Sequence, residues 1–250
     1  MYNYNEVQIE GNMPKNDGIG YGQFTPLKLE HFSKILSYHL RITQAVLHKN
    51  KNYYPQIYNY IDLTAGCGST PNGLKGCALT FIEIIEAEEI DLAMKAIFIE
   101  CNEKHIQQLE NNLKSFIKVE KFFYHGKYQE LLPKIITKKN NEFGLVFIDP
   151  SGEIPDFQTL QYIAEKRPKM ELLIYLSSTN VKRIFQYKGK KLKDYLLEIQ
   201  KKYWLIRKSY SGDKHKWTFI LCSNASDLFK DYKKIDFYKM ESEIGQKILK

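Results

Sequence analysis

The sequence predicts an α/β protein with a doubly wound, mostly parallel seven-stranded sheet whose last strand is antiparallel. Three observations predict it. Short apolar runs alternate five times with segments of helical periodicity, the pattern of successive βα units. The first run, Ile57 to Leu63, ends in an acid and a glycine turn, Asp62-Leu63-Thr64-Ala65-Gly66-Cys67-Gly68. Two apolar stretches, Trp204 to Tyr210 and Trp217 to Cys222, then flank the polar loop Ser211 to Lys216 and read as a closing hairpin.

Residues 1–24 carry Gly11, Gly18, Gly20 and Gly22 among polar residues and read as an N-terminal arm. Thr25 suits an N-cap and Pro26 the first helical position. Leu29, Phe32, Ile35, Leu36, Leu40 and Val46 then hold a helical stripe to His48. Tyr53 to Tyr58 leads into the first strand. Ser69 to Gly76 is a polar insertion, followed by a helix from Cys77 to Glu89. Ala96 to Glu100 is the second strand. Ile106, Leu109, Leu113 and Phe116 give the helix from Glu103 to Ile117. Lys121 to Tyr124 is a short third strand, and Tyr128 to Ile136 a helix whose carboxyl end suits Lys138 and Lys139. Phe143 to Ile148 is the fourth strand and Leu172 to Leu176 the fifth, with a helix from Pro155 to Glu165 between them. Asn180 to Lys201 is a long, partly broken helical region. Residues 25–224 form one domain without internal repeats, and 225–250 are a tail packed on it or extending from it.

A chain of 250 residues with 43% hydrophobic and 26% charged residues supports one sizeable globular domain. Cys67, Cys77, Cys101 and Cys222 are scattered, with no Cys-x-x-Cys or histidine cluster, so no metal is expected. Reduced thiols and a polar Met1 to Gly20 without a signal-peptide core point to the cytoplasm. No membrane span is expected, since even Ala78 to Ala87 carries Glu83 and Glu86.

The chemistry gathers where open α/β sheets bind ligands, at the carboxyl ends of the strands. Gly66 and Gly68 let the backbone turn and approach a ligand closely. An acid at Asp62 suits a cationic or hydroxyl-bearing ligand better than a pyrophosphate, and S-adenosylmethionine offers both an ammonium and ribose hydroxyls. Glu100 ends the second strand, where one carboxylate can accept both ribose hydroxyl protons. Pro71 stands where a dinucleotide fingerprint needs its third glycine, which counts against that cofactor class. The cofactor-binding candidates are Asp62, Thr64, Ala65, Gly66, Gly68, Glu100, Cys101 and Asp149. Asp149, Pro150 and Ser151, after the fourth strand, are the catalytic candidates.

Three stretches together resemble the three-Cys-motif partner proteins, a branch of the class I methyltransferase-like proteins. They are Tyr60 through Gly76 and Leu79; Phe98-Ile99-Glu100-Cys101-Asn102; and Phe147-Ile148-Asp149-Pro150-Ser151-Gly152, with Pro155, Thr159-Leu160 and Lys166-Arg167 behind it. Phe219 to Asn224 fits the hairpin strand, so the resemblance covers Thr25 to Asn224. It implies a Rossmann-like fold and S-adenosylmethionine, not a substrate. Members of the branch usually carry an aromatic between Pro150 and Gly152 and a residue other than Thr at position 64. Amino-methyltransferases of the class typically carry Asp/Asn-Pro-Pro-aromatic, whose polar groups accept from an exocyclic amine while the ring stacks on the base. This chain keeps Asp-Pro and replaces the rest with Ser-Gly.

The chain's net charge of +8 is local: Lys182 to Lys208 holds ten Lys/Arg against Asp194 and Glu198. Tyr187, Tyr195, Tyr203 and Trp204 are interleaved with it. Cations for phosphates and rings for unpaired bases suit nucleic acid, DNA or RNA. Arg183, Lys188, Lys190, Lys191, Lys193 and Lys214 are the binding candidates. The expected function is an S-adenosylmethionine-dependent methyltransferase acting on nucleic acid, with an exocyclic base amine as a candidate acceptor. The alternatives are a methyltransferase-shaped partner subunit without catalysis, engaging a protein, and a small-molecule or protein methyltransferase.

Overall fold

The computed structural model describes residues 25–69, 73–150, 153–177, 182, 186, 191–208, 210–212, 215–226 and 231–248. Five parallel strands form the body of the sheet: β1 (Ile57–Asp62), β2 (Ala93–Glu100), β3 (Val119–His125), β4 (Phe143–Ile148) and β5 (Met170–Ser177). They are followed by β6 (Tyr203–Arg207), β7 (Tyr210–Gly212), β8 (His215–Ser223) and β9 (Phe237–Lys239). The order is β3-β2-β1-β4-β5-β8-β6-β9, with β7 paired to β8. β8 lies between β5 and β6, antiparallel to both. The strand order reverses between β1 and β4, which makes their carboxyl ends the switch point of the sheet.

Helices cover both faces, so the central strands read as continuous apolar runs rather than alternating ones. On β4, Leu145 and Phe147 belong to one core and Val146 and Ile148 to the other. The first core holds α1 (Thr25–Lys49), α2 (Cys77–Ala87) and α3 (Glu103–Leu113). The second holds α4 (Tyr128–Ile135), α5 (Phe157–Lys166) and α6 (Leu192–Glu198). A short α7 (Glu243–Ile248) closes the described chain. Side chains the sequence pattern did not single out cap two helices. Asn102 accepts from the backbone N–H groups of Lys104 and His105 at α3, and Asp156 from that of Thr159 at α5.

The sheet has nine strands, two more than the seven expected. One addition is β9, three residues of the tail that pair antiparallel with β6. The other arises because the stretch from Trp204 to Tyr210 is split. Ile206 pairs with Ile220 and Tyr210 with Trp217, four steps on one strand against three on the other. That one-residue excess breaks the ladder into β6 and β7, as a bulge does. β3 is longer than expected, seven residues from Val119 to His125. Of the predicted helical region 180–201, the described part includes α6.

α1 is fixed to the sheet along its length. Phe32 packs on Phe147 of β4 with ring centroids 4.7 Å apart. Further on, His39 sits within 3.1 Å of Glu171 Oε2 and 2.8 Å of the Tyr58 hydroxyl, and Ser223 Oγ donates to Glu171 Oε1 at 2.9 Å. These groups are buried, and each finds a partner as buried polar groups must. No helix among the described residues is long and apolar enough to cross a membrane.

Candidate functional site

The loop after β1 is stitched to both neighbouring strands. Leu63 N–H donates to Phe147 O of β4 at 3.0 Å, and Ala65 N–H to Ile99 O of β2 at 2.9 Å. The loop then turns through Gly66 (φ +65°) and Gly68 (φ +82°), both left-handed. A Cβ at Gly66 would meet nothing within 4 Å, whereas one at Gly68 would lie 2.8 Å from Leu109 Cδ1 of α3. The two glycines therefore serve different ends: Gly68 makes room for α3, and Gly66 keeps bare backbone facing outward. The polar insertion that follows is closed at its base, where Gly76 N–H donates to Gly68 O at 2.7 Å and Ser69 bridges to Lys75.

Glu100, at the end of β2, is nearly buried, and its carboxylate faces this loop. Oε2 accepts the Gly66 N–H at 2.9 Å, and Oε1 accepts the Asn102 N–H at 2.9 Å and the Cys101 thiol at 3.3 Å. Cys101 itself is exposed; the partial desolvation of its sulfur, with the neighbouring Glu100 charge, raises its thiol pKa. Thr64 joins β1 to β4, since its Oγ1 accepts the Asp149 N–H at 2.9 Å. That contact gives the threonine at position 64 a physical role.

Asp149 follows β4 directly, beside the end of β1, and Pro150 next to it is buried. Ser151 lies outside the described residues. The sequence reading missed the partner of Asp149. Lys28, in the first turn of α1, places its Nζ 2.5 Å from Asp149 Oδ2, with side chains only 15% and 14% exposed. Burial alone would lower the Lys28 pKa, but the Asp149 charge and hydrogen bond, with Cys77 and Tyr175 adding to them, hold the ammonium above its ordinary value. Nζ also lies 5.2 Å from the ring centroid of Tyr175 on β5, whose hydroxyl is pushed up to about 12 by burial and the Asp149 charge. A spacing signal for Lys28 exists only in hindsight. It lies four residues before Phe32, hence on the same helix face, and Asp149 lies two after Phe147, hence on the same side of β4. Once Phe32 packs on Phe147, Lys28 meets Asp149.

Asp62 is fully buried and braces the loop from beneath instead of facing outward. Oδ1 accepts the Thr64 N–H and Oδ2 the Tyr60 hydroxyl, each at 3.1 Å. Burial pushes its carboxyl up to about 7 against those two hydrogen bonds, and the charges of Asp149 and Glu100 add to the rise. The sign of the linkage follows. An acid that titrates higher when folded holds its proton more tightly in the native state. Its contribution to stability is complete below its unfolded value near 4 and is lost as pH rises through the folded one. The expected result is that the cofactor-free protein melts at lower temperature as pH rises from about 5 to about 8, and that Asp62→Asn flattens this fall. A melting temperature with the same pH slope in both proteins would remove Asp62 as the cause.

The basic stretch is less uniform than its composition. Lys191 and Lys193 are exposed at the start of α6, while Arg183, Lys188, Lys190 and Lys214 lie outside the described residues. Lys201 is buried and donates to the carbonyls of Arg167, Pro168 and Met170. Arg207 is buried too, with Asp236 at 3.3 Å. The rings are also partly committed. Trp204 is buried, with its indole N–H on Lys201 O at 3.0 Å, and Tyr195 stacks on Phe157 at 5.2 Å. Tyr203 stays exposed.

No family model matches the chain, and no curated protein matches it. Solved structures do. Protein LPL1258 from Legionella pneumophila is 13% identical over 80% of this chain and 88% of that one, with a TM-score of 0.53. WbdD is 10% identical over 83% of this chain and 44% of that one, with a TM-score of 0.52. M. jannaschii TYW2, solved with AdoMet, is 13% identical over 82% and 77% of the two chains, with a TM-score of 0.43. For the first two the likeness is one of fold, a Rossmann-like, mostly parallel α/β sheet with antiparallel strands at its carboxyl-terminal end. The resemblance to three-Cys-motif partner proteins is carried by the sequence motifs and by none of these matches.

Proposed function

We propose that this chain is an S-adenosylmethionine-dependent methyltransferase acting on nucleic acid, with an exocyclic base amine as acceptor. The observation that carries the reading is the convergence of Glu100, the Gly66 backbone and Asp149 at the switch point of the sheet. A carboxylate offers about four lone-pair positions, so Glu100 can hold the Gly66 and Asn102 N–H groups and still accept from a ribose hydroxyl. Bare backbone at Gly66 admits an adenosyl group close to the loop, and Cys101 follows Glu100 at the exposed rim. Asp149 stands across the switch point, where it can accept hydrogen bonds from an acceptor amine. Bound there, S-adenosylmethionine would supply an electrophilic methyl carbon. What the chain contributes is alignment and electrostatics, the main resource for an in-line transfer that uses no covalent enzyme intermediate. The direct test is transfer of radiolabelled methyl from S-adenosylmethionine onto DNA, RNA and protein pools. Label on nucleic acid is the expected result, and label on protein alone would overturn the substrate assignment.

Nucleic acid as the acceptor is supported by the local excess of cations and by the exposed Lys191, Lys193 and Tyr203. Replacing Lys190, Lys191 and Lys193 together by Ala should weaken binding to any sequence and lower the slope of log affinity against log salt by about 2 to 3. An unchanged slope would mean that these side chains are merely solvated. A partner subunit without catalysis is favoured by one feature, the Ser151-Gly152 pair in place of a stacking ring. A protein that binds cofactor tightly and methylates no pool would be that subunit.

A further inference from the structure

We propose that Lys28 is a specificity-determining residue of the acceptor site, donating a hydrogen bond to a ring nitrogen while Asp149 accepts from the exocyclic amine beside it. The site would thereby take an amine flanked by a ring acceptor, the edge that adenine and cytosine present. This rests on the methyltransferase reading above.

The geometry is that of a donor and an acceptor side by side. Lys28 Nζ and Asp149 Oδ2 are 2.5 Å apart, and both side chains are mostly buried yet reachable. An ammonium has three donors and one is used on Asp149; the carboxylate has lone pairs to spare. Both groups can therefore engage a base without giving each other up. Their spacing is fixed by the packing of α1 on β4 through Phe32 and Phe147 and by the Tyr175 ring beneath Nζ. Tyr175 is itself held against Phe219, with centroids 5.5 Å apart.

Charge narrows the acceptor class further. The Lys28–Asp149 pair is neutral as a unit, so a neutral aromatic amine enters without a new charge. An aliphatic ammonium would place a second cation within a few ångströms of Nζ in a poorly hydrated site, where like charges repel strongly. Lys28 also answers the missing ring: with Gly152 where amino-methyltransferases carry an aromatic, a second polar contact supplies the orientation that stacking would. In the transfer, the amine lone pair forms the new N–C bond as the C–S bond breaks and its electrons remain on sulfur. The surplus proton leaves the nitrogen for Asp149 and then water. A hydrogen bond from Lys28 to the ring nitrogen makes that N–H more acidic and eases its departure.

The test compares single-stranded oligonucleotides carrying adenine or 1-deazaadenine, and cytosine or 3-deazacytosine, as acceptors for the wild-type protein, Lys28→Met and Lys28→Arg. The expected wild-type result is a loss of about 10- to 100-fold in kcat/KM on the deaza member of whichever pair is methylated. Lys28→Met should be equally poor on both members, and Lys28→Arg, which keeps a donor, should restore part of the discrimination. Cofactor affinity, by calorimetry, should fall by no more than about threefold in folded Lys28→Met, which separates specificity from damage to the cofactor site. If Lys28→Met does not fold, an absence of discrimination in the wild type, or discrimination in Lys28→Arg undiminished from the wild type, still overturns the role. Discrimination that persists in Lys28→Met, or that is absent from the wild type on a methylated base, overturns the role of Lys28 and leaves the proposed function standing. Label on lysine-containing peptides, or none on any oligonucleotide, overturns both.

Discussion

In an Asp149→Ala protein, methyl transfer should fall by about 100-fold or more, and affinity for S-adenosylmethionine should fall with it by about tenfold. The first effect follows from losing the group proposed to accept from the acceptor amine. The second follows from Lys28. With Asp149 gone, its ammonium is left without its carboxylate at 15% exposure, and in the proposed site this stranded cation would oppose a sulfonium cation. Removing one member of a mostly buried pair costs about 3 kcal/mol, or roughly 6 to 12 °C of melting temperature for a chain of this size. Lys28→Met combined with Asp149→Ala removes the stranded charge. The double variant should recover cofactor affinity and much of the stability, but not transfer. Asp149→Asn should be milder than Asp149→Ala, because an amide oxygen still accepts a hydrogen bond from an amine and from Lys28. Initial rates and calorimetry on the four proteins separate these contributions, and full activity in a folded Asp149→Ala protein would contradict a catalytic role.

What the sequence made legible is what local patterns encode. The five βα units are visible because each strand is a short apolar run and each helix keeps a 3.6-residue stripe. Asp62, Glu100 and Asp149 stood out because each closes an apolar run, and the structure places all three at the carboxyl ends of adjacent strands. The rest depends on distant pairing. Phe237–Lys239 is too short to carry a period, and becomes a strand only because β6 offers an open edge. The split between β6 and β7 is a one-residue slip that side-chain alternation alone does not reveal. Lys28 and Asp149 are separated by 121 positions, and nothing near Lys28 marks it.

Composition misled where it was averaged over a stretch. Lys201 counted toward a basic face, yet the turn between α5 and β5 presents several carbonyls at one place, and a single ammonium satisfies three of them. Trp204 counted as a ring for bases and instead fills the core beside that turn. Asp62 was expected to meet a ligand. Its position on a strand enclosed on both faces buries it, and the two donors it holds give it the work of shaping the loop. A brace below the loop and a carboxylate gripping it from β2 leave the Gly66 backbone with little freedom, so binding would cost little further ordering.

Gly66→Val should abolish cofactor binding, by more than about 100-fold in affinity, while leaving the domain folded. The side chain has space, since nothing lies within 4 Å of the new Cβ, and the Gly66 N–H can still donate to Glu100. The intrinsic cost is that of holding a non-glycine residue at φ +65°, about 1 to 2 kcal/mol, or roughly 2 to 8 °C in melting temperature. What the valine does occupy is the outward side of the loop, where an adenosyl group would approach the backbone. Gly68→Val should show the opposite balance. There the new Cβ would lie 2.8 Å from Leu109 Cδ1 and force α3 away from the loop, in addition to the strain of φ +82°. Its melting temperature should fall well below that of Gly66→Val, with binding lost because the loop is displaced. Calorimetric titration with S-adenosylmethionine and S-adenosylhomocysteine, beside thermal melts of both variants, reads the two effects separately. A folded Gly66→Val protein that binds either ligand as tightly as the parent would put the cofactor somewhere other than this loop.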